Sequence, residues 1–161
     1  MLTDKVMALA ITYNGNDIEG VNHLLKVFSF AHYIGVSEDC DARLQSIIDI
    51  SALLHDIGIH EARRKYNSAG GKWQETEGPI VARELLKNLE VENGLLERVL
   101  FIIGHHHSYD FIDGVDFQTV VEADFLVNMF EQETAKTEYG KIKEKIFKTK
   151  SGIRLLEQLY M

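Results

Sequence analysis

The stretch Leu53-Leu54-His55-Asp56-Ile57-Gly58 closes an apolar helical run with an imidazole and a carboxylate side by side, followed by a glycine. A carboxylate at the edge of a core costs several kcal/mol unless it is paired or bound to a cation. The doublet therefore asks what else in the chain converges on it. Upstream, Asp41 can cap a helix whose Leu44, Ile47, Ile48, Ser51, Ala52 and Leu54 face inward, and this helix delivers His55 and Asp56 at its end.

Helical periodicity continues on both sides, and no alternating strand pattern is present. Thr3 can cap a first helix with Val6, Met7, Ala10 and Ile11 on one stripe, ending near Asn14-Gly15. Asp17 opens a second helix expected to run through Ile34 and stop at Gly35, with Val21, Leu24, Leu25 and Phe28 toward the core. Beside that face, Glu19, His23, Val27 and Phe30 form a neighbouring stripe. After the doublet, the polar stretch His60 to Gln74, centred on Gly70-Gly71, reads as the longest irregular segment and thus as a functional loop.

Pro79 suits the first turn of a helix carrying Ile80, Val81, Leu85, Leu86 and Leu89. A further helix is expected from about Glu92 to His106, and another from Asp116 to about Glu133. One or two amphipathic helices follow from about Glu138 to Met161. Without repeats or linkers, residues 1–161 read as a single all-α domain.

Composition narrows the function. Hydrophobic content of 45% with a single proline marks a globular chain. One cysteine, Cys40, excludes an internal disulfide framework and fits a cytoplasmic location. The first residues show no signal-peptide pattern, and no apolar run is long enough to span a membrane. A net charge of −8 argues against binding a nucleic-acid polymer, but a bound metal could still reverse the local field for a small phosphorylated substrate.

Ionisable residues interrupt apolar faces at several points: His23, the His55-Asp56 pair, the run His105-His106-His107, and Asp124. Together they suggest one buried cluster of nitrogen and oxygen ligands. Their order and context resemble the HD superfamily of metal-dependent phosphohydrolases. The resemblance rests on Gly20-Val21-Asn22-His23-Leu24-Leu25-Lys26-Val27, Ala52-Leu53-Leu54-His55-Asp56-Ile57-Gly58 and Val120-Val121-Glu122-Ala123-Asp124-Phe125-Leu126. It covers roughly residues 17 to 130 and implies a single helical bundle, with His23, His55, Asp56 and Asp124 as metal ligands.

A partial likeness to two-metal members of the superfamily, including the HD-GYP branch, extends the set. His105-His106 and Asp110 look like their histidine pair and its trailing aspartate, and Glu19 stands where some carry a glutamate. Glu77 lies in the region of their intervening histidine. No Gly-Tyr-Pro follows Asp110, and Gly58-Ile59-His60 replaces the Gly-Lys of that branch, so cyclic-dinucleotide hydrolysis is not implied. His60 and Glu77, with Glu19, are candidate neighbours of the ligands or additional ligands.

Mixed imidazole and carboxylate donors suit Fe, Mn, Co, Ni or Zn better than Mg, as one ion or two. In a two-ion site Asp56 would bridge. The implied reaction is hydrolysis of a phosphoester of a small metabolite, plausibly a nucleotide, by activated water, with His55 and Asp56 at its centre. The substrate phosphate also needs donors outside the metal shell, and Arg63, Arg64 and Lys72 are the candidates. Two other readings remain open: an HD-type di-iron oxygenase, and a non-catalytic metal-binding sensor or scaffold. The lysine-rich C-terminal helices are candidates to pack on a second copy of the chain.

Overall fold

Asp17 and Asp41 cap the starts of the two helices that carry His23 and the His55-Asp56 doublet. Asp17 accepts from the Gly20 N–H at 2.9 Å, and Asp41 accepts from the Leu44 N–H at 2.8 Å. The computed structural model describes residues 1–161, with nine α-helices, two short 3-10 turns and no strand. The helices are α1 (Leu2–Asn14), α2 (Ile18–Ser37), α3 (Ala42–Leu54), α4 (Ile59–Tyr66) and α5 (Gly71–Leu86). They continue with α6 (Asn93–Ile103), α7 (Val115–Glu131), α8 (Tyr139–Ile146) and α9 (Lys150–Tyr160). The expected all-α domain is what the chain forms.

At the centre is α3, packed between α2 and α7, with α6 and α1 against its remaining sides. Every residue from Ile47 to Leu54 is buried, so α3 has no solvated face over its last two turns. The main core joins Ile47, Ile48, Leu53 and Leu54 to Val27, Ala31, Ile102, Ile103, Phe117 and Val120. A smaller cluster of Ile34, Leu126, Met129, Phe147 and Leu156 seats the C-terminal helices on α2 and α7.

Buried Glu122 fastens that attachment. Its carboxylate accepts from the backbone N–H of Lys148 and Thr149 at 2.6 and 2.9 Å, from Gln118 at 2.7 Å, and from the Thr149 hydroxyl. It thereby fills the donor-rich start of α9 with negative charge. Gly152 in the first turn faces it so closely that a Cβ there would lie 1.9 Å from Glu122 Oε2.

Several expected boundaries move. The first helix begins at Leu2, not after Thr3. The second continues through Gly35 to Ser37, and Gly35 serves close helix packing instead of a stop. A Cβ there would sit 2.5 Å from Gln45 Oε1 and 3.0 Å from Ile48 Cδ1. The expected loop His60–Gln74 is mostly helical: α4 ends at Tyr66 and is capped by Asn67 in the left-handed conformation (φ 49°), and α5 begins at Gly71. Pro79 accordingly lies inside α5, not in its first turn.

Gly58 follows the doublet and meets α5 backbone to backbone. A Cβ on Gly58 would be 2.6 Å from Gly78 N and 2.7 Å from Gln74 O, and one on Gly78 would be 2.7 Å from Ile103 Cγ2. The end of α3 is thus held against α5, and α5 against α6, by contacts only glycine permits.

Candidate metal centre

Three helices and one turn bring the ionisable side chains together. His23 comes from the inner face of α2, Asp124 from α7, and His55-Asp56 from the end of α3, where His55 keeps helical dihedrals (φ −55°, ψ −41°) and so points inward. His55 is fully buried, and His23 and Asp124 nearly so, while the Asp56 side chain is 26% exposed toward a cleft.

The Nε2 atoms of His23 and His55 lie 3.2 Å apart. His23 Nε2 is 3.2 Å from Asp124 Oδ1 and 3.4 Å from Asp56 Oδ2; His55 Nε2 is 3.4 Å from each of the same oxygens. Donors bound at about 2.0–2.2 Å would be separated by roughly 3.0 Å at adjacent octahedral vertices and 3.4 Å at tetrahedral ones. The two imidazole nitrogens thus stand at coordination-shell spacing from each other and from one oxygen of each carboxylate, and the ligand atoms of His23, His55 and Asp56 all lie within 4.8 Å of one another.

The ring nitrogens facing away fix which atoms point in. His55 Nδ1 donates to the Ala52 carbonyl at 2.8 Å, and His23 Nδ1 is 2.8 Å from Glu131 Oε2. Each neutral ring then carries its proton on Nδ1 and turns an Nε2 lone pair inward. Two lone pairs facing each other beside two carboxylates need a positive charge between them, supplied by protons or by a metal ion. Glu131 also takes Lys26 at 2.8 Å, and Asn128 donates to Asp124 Oδ1 at 2.8 Å.

A second group adjoins the first through the other oxygen of Asp56. His106 Nε2 stands 3.3 Å from Asp56 Oδ1, is buried, and has no hydrogen-bond partner, because its Nδ1 already donates to the Ile103 carbonyl at 2.8 Å. His107 completes this group, its ring 4.0 Å from that of His106 and its Nε2 3.2 Å from Gln74 Oε1. Each trio (His23, His55, Asp56 and Asp56, His106, His107) gathers its ligand atoms within 4.8 Å of one another. An orphaned buried Nε2 aimed at a carboxylate is the donor set a cation would satisfy.

Without a cation the cluster polarises itself. Burial disfavours charge on His55, but Asp56 and Asp124 outweigh it and raise the imidazole to about 9. Burial would raise Asp56, but His55 and His106 pull it down to about 2. Burial is likewise overcome at Asp124, which is held far below the usual carboxylate range by His23 and His55. His107 moves the other way: burial and then the neighbouring His106 lower it to about 4.

The structure redistributes the remaining candidates. His105 is not in the cluster; its Nδ1 donates to the Phe101 carbonyl at 2.7 Å and its ring is sandwiched by Phe101 and Phe111, at 4.4 and 4.6 Å. The inward pair is His106-His107, one position later, because α6 ends at Ile103 and the chain turns before the histidines. Asp110, in the 3-10 turn Tyr109–Phe111, is exposed and joins neither trio. Glu77 is buried but spent on Lys65 (2.6 Å) and the Tyr66 hydroxyl (2.9 Å), tying α4 to α5. His60 binds Asn14 Oδ1 at 3.1 Å and touches no ligand.

The cleft beside Asp56 has a volume of about 250 Å³, and Asn14, Asp17, Glu19, His23, Arg63 and Glu131 are among its lining residues. Of the three cationic candidates only Arg63 borders it. Arg64 is committed to Glu61 (2.7 Å), and Lys72 lies over the Trp73 ring at 5.0 Å. His107, in the histidine run but outside the pair the resemblance implies, joins the second group, and Glu131 and Asn128 are additions to the sequence-derived set. The last two follow Asp124 at i+7 and i+4, on the same face of α7, and that spacing was a usable signal.

The chain is an all-helical bundle whose central helix ends in a buried histidine–carboxylate cluster with two groups of side chains able to hold a metal ion. The sequence pattern of the HD domain matches residues 20–145, and the chain belongs to the HD domain family. That family consists mostly of metal-dependent hydrolases that bind divalent metals. No match was found among curated proteins or among solved structures. No helix is long and apolar enough to cross a membrane.

Proposed function

We propose that this chain is a metal-dependent phosphohydrolase that cleaves a phosphoester of a small metabolite in the cleft beside Asp56. The observation that carries the reading is the approach of His23 Nε2 and His55 Nε2 to 3.2 Å of each other and to 3.2–3.4 Å of Asp56 Oδ2 and Asp124 Oδ1, next to an open cleft with an arginine on its wall. His23, His55, Asp56 and Asp124 would hold one divalent ion; Asp56, through its other oxygen, would share a second with His106 and His107. When bound, such ions lower the pKa of water and neutralise charge developing on a phosphoryl group.

The protein's own groups supply the rest. The Nδ1 hydrogen bonds of His23, His55 and His106 hold each imidazole in the tautomer that presents Nε2. Asp56 spans both groups and is more exposed to the cleft than His23, His55 or Asp124, so on this reading it faces the reacting phosphoryl. Arg63 offers a fork of N–H donors to the non-reacting phosphoryl oxygens. The cleft supports catalysis over a purely scaffolding role, because a ligand can reach Asp56.

The test is a screen of phosphomonoesters, phosphodiesters and nucleotides with protein shown by elemental analysis to contain Mn, Co, Ni, Fe or Zn. Turnover that disappears in His55→Ala and Asp56→Ala supports the proposal. No turnover by any fully loaded form rejects it.

A further inference from the structure

Charge is unevenly distributed around the cleft. Its wall carries the carboxylates of Asp17, Glu19 and Glu131 and one cation, Arg63. Glu131 is offset by Lys26, and Asp17 is partly engaged by the Gly20 N–H and by His60 at 3.5 Å. Glu19 is exposed and its side chain makes neither an ion pair nor a hydrogen bond, and Arg63 likewise has no carboxylate partner. A phosphoryl group at the histidine cluster would therefore find a single guanidinium beside it. Whatever projects from that phosphoryl meets Asn14, Asp17, Glu19 and Asn128, a lining of hydrogen-bond acceptors and amides without a second cation.

We infer, on the phosphohydrolase reading above, that the cleft selects a substrate bearing one phosphoryl group on a hydroxylated, uncharged remainder and discriminates against di- and triphosphates. A second or third phosphoryl group would bring at least one negative charge each to a wall held negative by Asp17 and Glu19. Hydroxyl groups in the same place would donate to those carboxylates. A volume of about 250 Å³ also suits a phosphorylated sugar-sized body better than an extended polyphosphate tail. A like-charge contact near a protein surface corresponds to about a tenfold loss of affinity per added phosphoryl group. Glu19 is in this sense a specificity-determining residue, acting by repulsion.

The experiment uses Mn-loaded full-length protein, with free Mn²⁺ buffered so that chelation by the ligands is constant. Calorimetry gives the Kd of AMP, ADP and ATP, chosen as probes that differ only in phosphate number. The expected order is AMP, then ADP, then ATP, with about tenfold between steps. ATP binding as tightly as AMP overturns the inference, and so does failure of AMP to bind metal-loaded protein. In Glu19→Lys, with its fold checked by circular dichroism, the AMP-to-ATP preference should shrink at least fivefold; an unchanged ratio also overturns it. Hydrolysis of p-nitrophenyl phosphate by the same preparation reports separately on catalysis. AMP-favouring binding without turnover would remove the phosphohydrolase reading and leave the charge selection in place.

Discussion

Replacing Glu131 by glutamine preserves the side chain's shape and removes its charge. In the folded chain one oxygen lies 2.8 Å from His23 Nδ1 and the other 2.8 Å from Lys26 Nζ. The carboxylate keeps the His23 proton on Nδ1, so Nε2 stays free to face His55 and Asp124. Removing a partner of this kind from a metal-binding histidine costs about 10–100-fold in metal affinity. Glu131 is 29% exposed and shares its charge with Lys26, which places the effect at the lower end, about tenfold or ~1.4 kcal/mol. For a domain of this size the metal-induced rise in Tm should shrink by roughly 3–5 °C. Competition with a chromophoric chelator measures the affinity, and scanning calorimetry with and without metal measures the shift. Lys26→Met, which leaves the Glu131–His23 hydrogen bond in place, should cost less than about threefold. Glu131→Gln and Glu131→Ala both binding metal like the unmodified protein would refute the reasoning.

Other expectations follow from the same geometry. His106→Ala and His107→Ala should each lower the metal content from two ions per chain to one, measured by elemental analysis. His105→Ala should leave it unchanged and destabilise by about 1–2 kcal/mol through loss of the Phe101–Phe111 sandwich. Gly152→Ala should cost about 2 kcal/mol or more in denaturant unfolding, because its Cβ would strike Glu122 in the α7–α9 junction. For His55, raised to about 9 in the metal-free protein, the stability contribution is complete below its unfolded value near 6.5 and is lost as pH rises through 9. Metal-free protein should therefore lose Tm between about pH 6.5 and 9, while metal-loaded protein, in which the proton has been displaced, should not.

Helix phase explains which parts of the site could be read from sequence. His23 and Asp124 lie well inside long helices, where apolar neighbours define the inward face over several turns. His55-Asp56 immediately follows a run that is buried on every side. Each of these was predictable because its phase is set by many residues. The histidine run was misread by one position because α6 ends at Ile103, and from there the direction of each side chain depends on the turn, not on helical period. The segment His60–Gln74 reads as a loop because α4 buries only Ala62. It is held by ion pairs to Glu61 and Glu77, which leave no apolar stripe to find. A loop gives no way to separate Arg63 from Arg64, whereas on a helix adjacent residues diverge by about 100°.

The contact of Gly58 with Gly78, and of Gly78 with Ile103, sets the terms on which this scaffold could acquire a new substrate. Adaptation by substitution needs positions that change without moving the chemistry. At 58 and 78 behind Asp56 there is no such freedom, because a carbon added at Gly58 would strike the α5 backbone and one added at Gly78 would strike the Ile103 side chain of α6. The opposite wall is different: Asn14, Glu19, Arg63 and Glu131 project from helix surfaces and ends into the opening. A library diversified at Asn14, Glu19 and Arg63, with Glu131 kept for its bond to His23, should yield altered specificity with retained metal, whereas one diversified at 58 and 78 should yield mostly unfolded or metal-free protein. The fold thus separates an unchangeable floor from an adaptable rim, two residues beyond the aspartate on which both groups of ligands converge.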